Sequence, residues 1–279
     1  MTRLAIPGSS IAISRLTFGC ARLAAGAEFR TSARLIERAL RQGVTHFDTA
    51  PMYGSEDVLG AVIGNSPDVT IATKVGIPRA ADTEARHSHL RSFYRNAIRP
   101  ALGHFPGLKA RLVSAMTRPQ AASQVIVKRE LQKDAVLREL DESMRRLKRT
   151  CIDVYLIHEP EQFELSDDLL ETFTALRRSG AIKSFGLGHG GLPPSDPCWF
   201  GSVVQCRYAE QIVPLRAGPH IHLFHGVLRH GLQTTENAGT RRDARQRVAD
   251  VLRQHEQAAV VFSASSERQI DAICCALQD

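Results

Sequence analysis

The chain has 279 residues, of which 43% are hydrophobic and 23% are charged. These proportions are typical of a globular protein and exclude a disordered chain, and this length fits either two domains or one α/β barrel. No apolar run approaches the roughly 20 residues that a membrane-spanning helix needs, and the N-terminal segment lacks the pattern of a signal peptide. We therefore expect a cytoplasmic protein without an integral membrane segment.

The formal net charge of +7 is concentrated in one stretch of the chain. Residues 79–118 carry eight Arg and Lys residues against two acidic residues, a net charge of +6. A charge this local argues against a nucleic-acid-binding surface spread over the whole protein. Apolar residues at helical spacing in the same stretch indicate a helical insertion. Three interpretations fit this insertion: a lid over the substrate pocket, which we favour, an element that binds a membrane surface or a partner, and a solvated insertion.

Six cysteines and eleven histidines raise the question of disulfides and metals. No two cysteines have C-x-x-C spacing, and most lie in apolar runs, so we expect buried free thiols rather than a disulfide framework. The histidines show neither the H-E-x-x-H pattern nor a paired Cys/His spacing. The sequence therefore predicts no metal site.

Short apolar strands alternate with amphipathic helices along the chain. The eight predicted strands cover residues 15–20, 45–50, 69–75, 152–158, 182–188, 202–206, 220–225 and 258–263. Hydrophobic residues recur with helical period between them, with N-caps predicted at Thr31 or Ser32, at Ser55, Ser166 and Ser266, and with further helices over 130–148 and 241–256.

Strands that are apolar on both faces and that alternate with helices form parallel sheets. Eight such repeats predict a closed (β/α)8 TIM barrel, and a doubly wound open sheet is the alternative. No linker divides the chain, so we expect a single domain over residues 1–279. The segment 6–11 predicts a small N-terminal hairpin that covers the barrel floor, and the basic insertion follows the third strand.

Polar residues stand where the predicted strands end. In barrels of this type the catalytic groups lie at the C-terminal ends of the strands, because earlier side chains fill the interior. The residues at these positions are Asp48, Lys74, His158, His189, Gln205, His225 and Ser263. One such residue is easily explained as a satisfied core group, but seven in successive units favour a site.

Tyr53 follows Asp48 by five residues, and Lys74 lies one β–α unit further on. A tyrosine is a poor acid near neutral pH, and a nearby cation favours its phenolate form. A carboxylate at Asp48 keeps such a lysine charged and in place. The phenol of Tyr53 is then placed to protonate an oxygen that becomes negative, and His158 can donate a second hydrogen bond to it.

At these residues the sequence resembles the aldo-keto reductase family. The motifs are FDTAPMYGSEDVLG (47–60), IATKVG (71–76) and DVYLIHEP (153–160), and their wording is closest to the short, sugar-dehydrogenase-like bacterial branch. The resemblance implies an NADPH-type cofactor across the barrel mouth and a small carbonyl or sugar substrate. It also implies that Tyr53 is the general acid, that Asp48 and Lys74 tune it, and that His158 orients the carbonyl.

The cofactor-binding positions depart in part from the family pattern. Gly188 and His189 replace a Ser-Asn pair that holds the nicotinamide amide, whereas Gln205 matches the family's glutamine. His225 stands where a tyrosine stacks on the nicotinamide ring. For the 2′-phosphate, Arg268 matches the family's arginine, and Ser263 replaces a lysine. NADPH is therefore favoured, and NADH remains possible.

Two other functions fit the same sequence. One is a catalytically silent barrel that binds nicotinamide as a sensor or regulatory subunit. The other is a phosphate-binding barrel enzyme, an isomerase or aldolase, with Lys74 as nucleophile. The glycines of residues 186–191 match G-x-G-x-x-G, but prolines interrupt the helix that should follow, so we reject a Rossmann site. The sequence does not indicate an oligomeric state.

Overall fold

The structure is a computed structural model that describes residues 2–23, 28–79, 131–161, 164–191, 200–209, 220–228 and 244–275. In chain order the elements are strands β1 (Arg3–Ala5), β2 (Ala12–Ser14) and β3 (Leu16–Gly19), helix α1 (Phe29–Arg41), β4 (His46–Asp48), the 3-10 helix η1 (Pro51–Tyr53), α2 (Glu56–Val62), β5 (Thr70–Val75), α3 (Lys133–Leu147), β6 (Ile152–His158), α4 (Asp167–Arg178), β7 (Ile182–Gly188), β8 (Val203–Arg207), β9 (Ile221–His225), α5 (Ala244–Gln254), β10 (Ala258–Phe262) and α6 (Glu267–Cys274).

Strands β3 to β10 form a closed parallel barrel. Each strand pairs with the next one along the chain, and β10 closes the barrel by pairing with β3, where Val260 lies opposite Leu16. The predicted (β/α)8 barrel is therefore confirmed, and the open sheet is excluded. The single-domain organisation of the whole chain stays a prediction.

The N-terminal hairpin covers one end of this barrel, as predicted. Strand β1 pairs antiparallel with β2, and the backbone N–H of Ile6 donates to the carbonyl oxygen of Ile11 at 3.0 Å. Four hairpin side chains pack in one buried cluster with side chains from the barrel interior: Leu4, Ile6, Ile11 and Ile13. Apolar side chains therefore close this end of the barrel.

The barrel strands divide their side chains between two apolar clusters. Because successive side chains of a strand point to opposite faces, residues two apart share a face. Val154 and Leu156 of β6 join the interior cluster with the hairpin, whereas Tyr155 and Ile157 pack with the helices outside. Successive barrel strands repeat this division, so the orientation of any strand residue follows from its neighbours.

Three of the four predicted N-cap positions are confirmed and one is wrong. Ser166 and Ser266 accept hydrogen bonds from backbone N–H groups of the first turns of α4 and α6. Helix α1 begins at Phe29 instead of at Thr31 or Ser32, and its N-cap residue makes no capping hydrogen bond. Ser55 is the N-cap residue of α2, as predicted, but its hydroxyl makes no capping bond and instead bonds the buried hydroxyl of Thr49 at 2.7 Å.

Most of the basic insertion, 79–118, lies outside the described residues. At its start, Arg79 pairs with Asp57 of α2 at 2.8 Å. The five described cysteines are free thiols, in agreement with the sequence. In the described part of the chain, no helix combines the length and the apolar composition that crossing a membrane requires.

Candidate active site

The end of the barrel opposite the hairpin carries a layer of inward-facing polar residues. Lys74 shares its face with Ala72, and His158 shares its face with Val154 and Leu156 of the interior cluster. The same two-residue period turns Gln205 and His225 inward, because Val203 and Leu223 lie in that cluster. With Asp48, Tyr53 and Glu159, these residues line a cavity of about 500 Å³ at the barrel mouth.

Asp48 and Lys74 form a buried ion pair. The Lys74 ammonium donates to Asp48 Oδ1 at 2.7 Å and to the carbonyl oxygen of Thr49 at 2.9 Å, and its side chain is only 2% exposed. Burial lowers the pKa of Lys74, but Asp48 and Tyr53 together raise it further than burial lowers it. Lys74 is therefore a permanent cation near neutral pH.

Tyr53 reaches the same point from the short helix η1. The Lys74 Nζ atom lies 5.1 Å from the centre of the Tyr53 ring. Lys74 lowers the pKa of Tyr53, as the sequence predicted, but burial and the charges of Asp48 and Glu159 outweigh it. The pKa of Tyr53 consequently lies above its usual value. The phenol is protonated near neutral pH, as a proton donor must be.

His158 completes the group at the end of β6. Its ring lies edge-to-face against the Tyr53 ring, with 5.9 Å between the ring centres. Burial, and then the charge of Lys74, lower the pKa of His158 to about 3. The imidazole is therefore neutral and carries one N–H. Its Nδ1 atom is buried and has no hydrogen-bond partner among the described residues.

Gln205 and Gly188 form a polar recess beside this group. The Gln205 side chain is buried, and its Oε1 atom has no hydrogen-bond partner within the described ranges. A Cβ at residue 188 would lie 3.4 Å from that oxygen and 3.5 Å from Lys74 Cε. The glycine thus leaves space where a side chain would fill the recess. A buried acceptor without a donor fits the amide N–H of a nicotinamide.

His189 and His225 are joined across the mouth. His225 Nε2 donates to the carbonyl oxygen of His189 at 2.8 Å, and the His189 N–H donates to the carbonyl oxygen of Gln205 at 2.8 Å. Burial lowers the pKa of His225, against smaller contributions from its hydrogen bond and from nearby charges. Both imidazoles line the cavity, so these two predicted cofactor contacts lie beside Gln205.

Ser263 and Arg268 are placed differently. Ser263 lines the cavity just after β10, but its hydroxyl donates to the carbonyl oxygen of Gly19 at 2.8 Å. Its proton is thus already used in tying β10 to β3. Arg268 is exposed in the first turn of α6 and is not among the residues that line the cavity, whereas its neighbour Gln269 is.

Among the cavity residues with polar or charged side chains, three were not singled out from the sequence: Arg22, Glu159 and Gln269. Glu159 directly follows His158, so its place at the end of a barrel strand was the signal that pointed to it. The described residues contain no cluster of three or more His, Cys, Asp or Glu side chains arranged to hold a metal ion. The mouth therefore combines a protonated phenol, a paired cation and a neutral imidazole around one cavity, a set suited to proton transfer.

Several known proteins are similar to this chain. The model of the Aldo/keto reductase family matches residues 15–191. Among curated proteins, the aldo-keto reductase YhdN of Bacillus subtilis is 25% identical over 61% of this chain and 40% of its own length. The D-threo-aldose 1-dehydrogenase of a Pseudomonas species is 28% identical over 67% of this chain and 53% of its own length. The chain thus spans about half the length of these relatives.

Solved structures share the fold along nearly the whole chain. The holo form of the aldo-keto reductase AKR11C1 from Bacillus halodurans has a TM-score of 0.71 at 19% identity, covering 100% of this chain and 91% of that one. An aldo-keto reductase from Klebsiella pneumoniae, in complex with NADPH, has a TM-score of 0.69 at 16% identity, with the same coverage. The family match covers more than half of the chain, and the resemblance inferred from its motifs is confirmed. The chain belongs to the aldo/keto reductase family.

Proposed function

We propose that the protein is an NADP-dependent oxidoreductase that transfers a hydride between the nicotinamide and a carbonyl or alcohol group. One observation carries the proposal. The buried Asp48–Lys74 pair, Tyr53 and His158 meet at the barrel mouth and face one cavity. Family membership supports the reaction class, since the motifs that define the resemblance contain these four residues.

In this proposal, Tyr53 is the general acid. Reduction of a carbonyl places negative charge on its oxygen, and a phenol held at the cavity wall can protonate it. Lys74 lies beside the ring, and its positive charge stabilises the phenolate that remains after the proton leaves. His158, which is neutral, has an N–H to donate to the same oxygen and thus orients the carbonyl. A bound nicotinamide supplies or accepts the hydride.

The residues at the recess suit this cofactor. Gln205 offers an unpaired buried acceptor for the amide, and Gly188 leaves the space beside it. His225, fixed by its hydrogen bond to His189, provides a ring on which the nicotinamide can stack. We assign Arg268 to the 2′-phosphate by its family position, which favours NADPH over NADH. Ser263 lies at the position of the family's lysine, but its hydroxyl donates to the carbonyl oxygen of Gly19 and adds little to this preference. The bound NADPH of the Klebsiella relative agrees with this choice.

The substrate class follows from the relatives and from the size of the cavity. One relative is a D-threo-aldose 1-dehydrogenase. A cavity of about 500 Å³ has the size of a small-molecule site. We therefore propose a small aldehyde, ketone or sugar as the substrate, and we expect the enzyme to work in the cytoplasm.

The structure weakens the aldolase alternative. A lysine nucleophile must be neutral to attack a carbonyl. Lys74 instead has a raised pKa and donates to Asp48 and to the Thr49 carbonyl. The silent-barrel alternative is weakened too, because a sensor has no need of a protonated phenol and a buried cation at the same point.

Fluorescence titration with NADPH and NADH, followed by turnover with a panel of aldehydes, tests the proposal. We expect saturable binding of both cofactors, tighter for NADPH, and NADPH oxidation that depends on the aldehyde. Binding of NADPH without turnover of any aldehyde or sugar would support the silent barrel. Borohydride trapping of a substrate adduct on Lys74 would support the aldolase and contradict the proposal.

A further inference from the structure

Glu159 is held in a conformation that an ordinary side chain rarely adopts. Its φ angle is +52°, in the left-handed region that glycine prefers. A backbone hydrogen bond from the Glu159 N–H to the carbonyl oxygen of Gly188, at 2.7 Å, holds this bend. Strained residues cluster at functional sites, where the surrounding structure maintains them. Glu159 directly follows His158, so this strained residue lies next to the proposed site.

The bend brings the Glu159 carboxylate to the cavity wall. A Cβ at residue 190 would overlap its Oε1 atom, so the glycine at that position makes room for the carboxylate. At the adjacent Gly191, a Cβ would meet nothing within 4 Å. The space at Gly190 therefore serves the Glu159 side chain, and the two neighbouring glycines provide a matched comparison.

The carboxylate is an uncompensated negative charge on the cavity wall next to His158. Asp48 and Lys74 neutralise each other at 2.7 Å. Glu159 makes no ion pair or side-chain hydrogen bond within the described ranges, and His158 is neutral. Lys74 and burial contribute most to the pKa of Tyr53, and burial lowers the pKa of His225; the charge of Glu159 adds a smaller upward contribution at both residues. A carbonyl compound next to Tyr53 therefore lies within the field of this carboxylate.

We propose that Glu159 is a specificity-determining residue that selects hydroxylated, uncharged carbonyl compounds and disfavours acidic ones. An ionised carboxylate only accepts hydrogen bonds, so it binds hydroxyl groups close to the carbonyl carbon. It repels a substrate carboxylate in a site from which water is partly excluded. This inference rests on the proposed carbonyl reduction, and it deepens that function.

Steady-state reduction of two pairs of aldehydes tests it. Glyceraldehyde and propanal differ in hydroxyl groups, and succinic semialdehyde and butanal differ in a carboxylate. We expect the wild type to prefer glyceraldehyde and butanal within their pairs. In Glu159→Gln, which keeps the shape and removes the charge, kcat/KM for succinic semialdehyde relative to butanal should rise about tenfold or more. The preference for glyceraldehyde should fall.

Two controls distinguish an effect of the Glu159 carboxylate in the cavity from an effect of the overall change in charge. Glu161→Gln removes the same charge from an exposed residue two positions away and should leave both ratios within about twofold. Gly190→Ala, which displaces the Glu159 carboxylate, should shift the ratios in the same direction as Glu159→Gln, and Gly191→Ala should not. A Glu159→Gln variant with wild-type ratios would overturn the inference and leave carbonyl reduction standing. A wild type that reduces none of the four aldehydes would overturn both.

Discussion

Lys74 is the charged residue on which the others at the barrel mouth depend. Its ammonium group donates to Asp48 and to the Thr49 carbonyl oxygen and lies beside the Tyr53 ring. Because the Lys74 side chain is only 2% exposed, water cannot take the place of these contacts. The sequence predicted this pairing from the order of the strands. It did not predict the net pKa of Tyr53, because burial and the charge of Glu159 depend on packing that no motif records.

Lys74→Met should therefore damage both the reaction and the fold. The variant leaves Asp48 buried without its cation, and breaking a buried pair in this way costs about 3–5 kcal/mol. Equilibrium urea denaturation measures this loss in the free energy of unfolding. The double variant Asp48→Asn/Lys74→Met should recover part of it, since it removes the orphaned charge. Wild-type stability in Lys74→Met would contradict the pairing.

Arg268 tests the choice of cofactor. If its guanidinium contacts the 2′-phosphate, Arg268→Ala should weaken NADPH binding by about 1.5–3 kcal/mol, the range for a hydrogen bond to a charged group. NADH lacks that phosphate, so its affinity should barely change. Fluorescence titration with each cofactor measures both. Equal losses for NADPH and NADH would show that Arg268 acts by another route.

The elements of the fold were predicted better than their ends. Short, nearly continuous apolar runs predicted the eight strands, because a strand that is buried on both faces needs apolar residues at successive positions. The start of α1 was predicted too late in the chain, and although α2 begins after Ser55 as predicted, the Ser55 hydroxyl bonds Thr49 instead of capping the helix. Asp153 begins one of the motifs that carry the family resemblance. It lies outside the site and accepts from Arg149, Lys183 and the Ile71 N–H, a role that only the packed structure reveals.

Helix α3 ends on a residue that glycine should improve. Lys148, its C-cap, is exposed and has a φ of +53°, a left-handed conformation that is unfavourable for a side chain. Lys148→Gly should raise the free energy of unfolding by about 0.5–1 kcal/mol. Ser179, the C-cap of α4, has a φ of −74°, so Ser179→Gly gains nothing and should destabilise. Thermal unfolding of the two variants should shift in opposite directions, and shifts of the same sign would be inconsistent with this assignment.

Over the whole molecule, buried neutral histidines make the fold sensitive to acid. Burial lowers the pKa of His46 and of His222 to about 4 and that of His158 to about 3. In the unfolded chain each has a pKa near 6.5. Below pH 6.5 the unfolded state therefore binds protons that the folded state does not. Stability is fully present above pH 6.5 and is lost as the pH falls toward 4.

His222→Phe should flatten this dependence. His222 stacks on Phe224, and its Nε2 atom has no hydrogen-bond partner in the described part of the chain, so an apolar ring suits the position. Between pH 7.5 and 4.5, the variant should lose about 2–3 kcal/mol less unfolding free energy than the wild type. Urea denaturation at several pH values measures the difference. Parallel curves for the two proteins would mean that His222 does not titrate as its burial implies.

The barrel brings residues from separate strands to one mouth. The proposed role of Tyr53 as proton donor depends on this assembly. Tyr53→Phe removes a proton donor and leaves the recess of Gln205 and Gly188, and the ring of His225, in place. Stopped-flow turnover with an aldehyde, together with NADPH titration, is the most direct test of the central claim. We expect turnover to fall by about 10² or more while the NADPH dissociation constant stays within about threefold. Near wild-type turnover in Tyr53→Phe would contradict the mechanism.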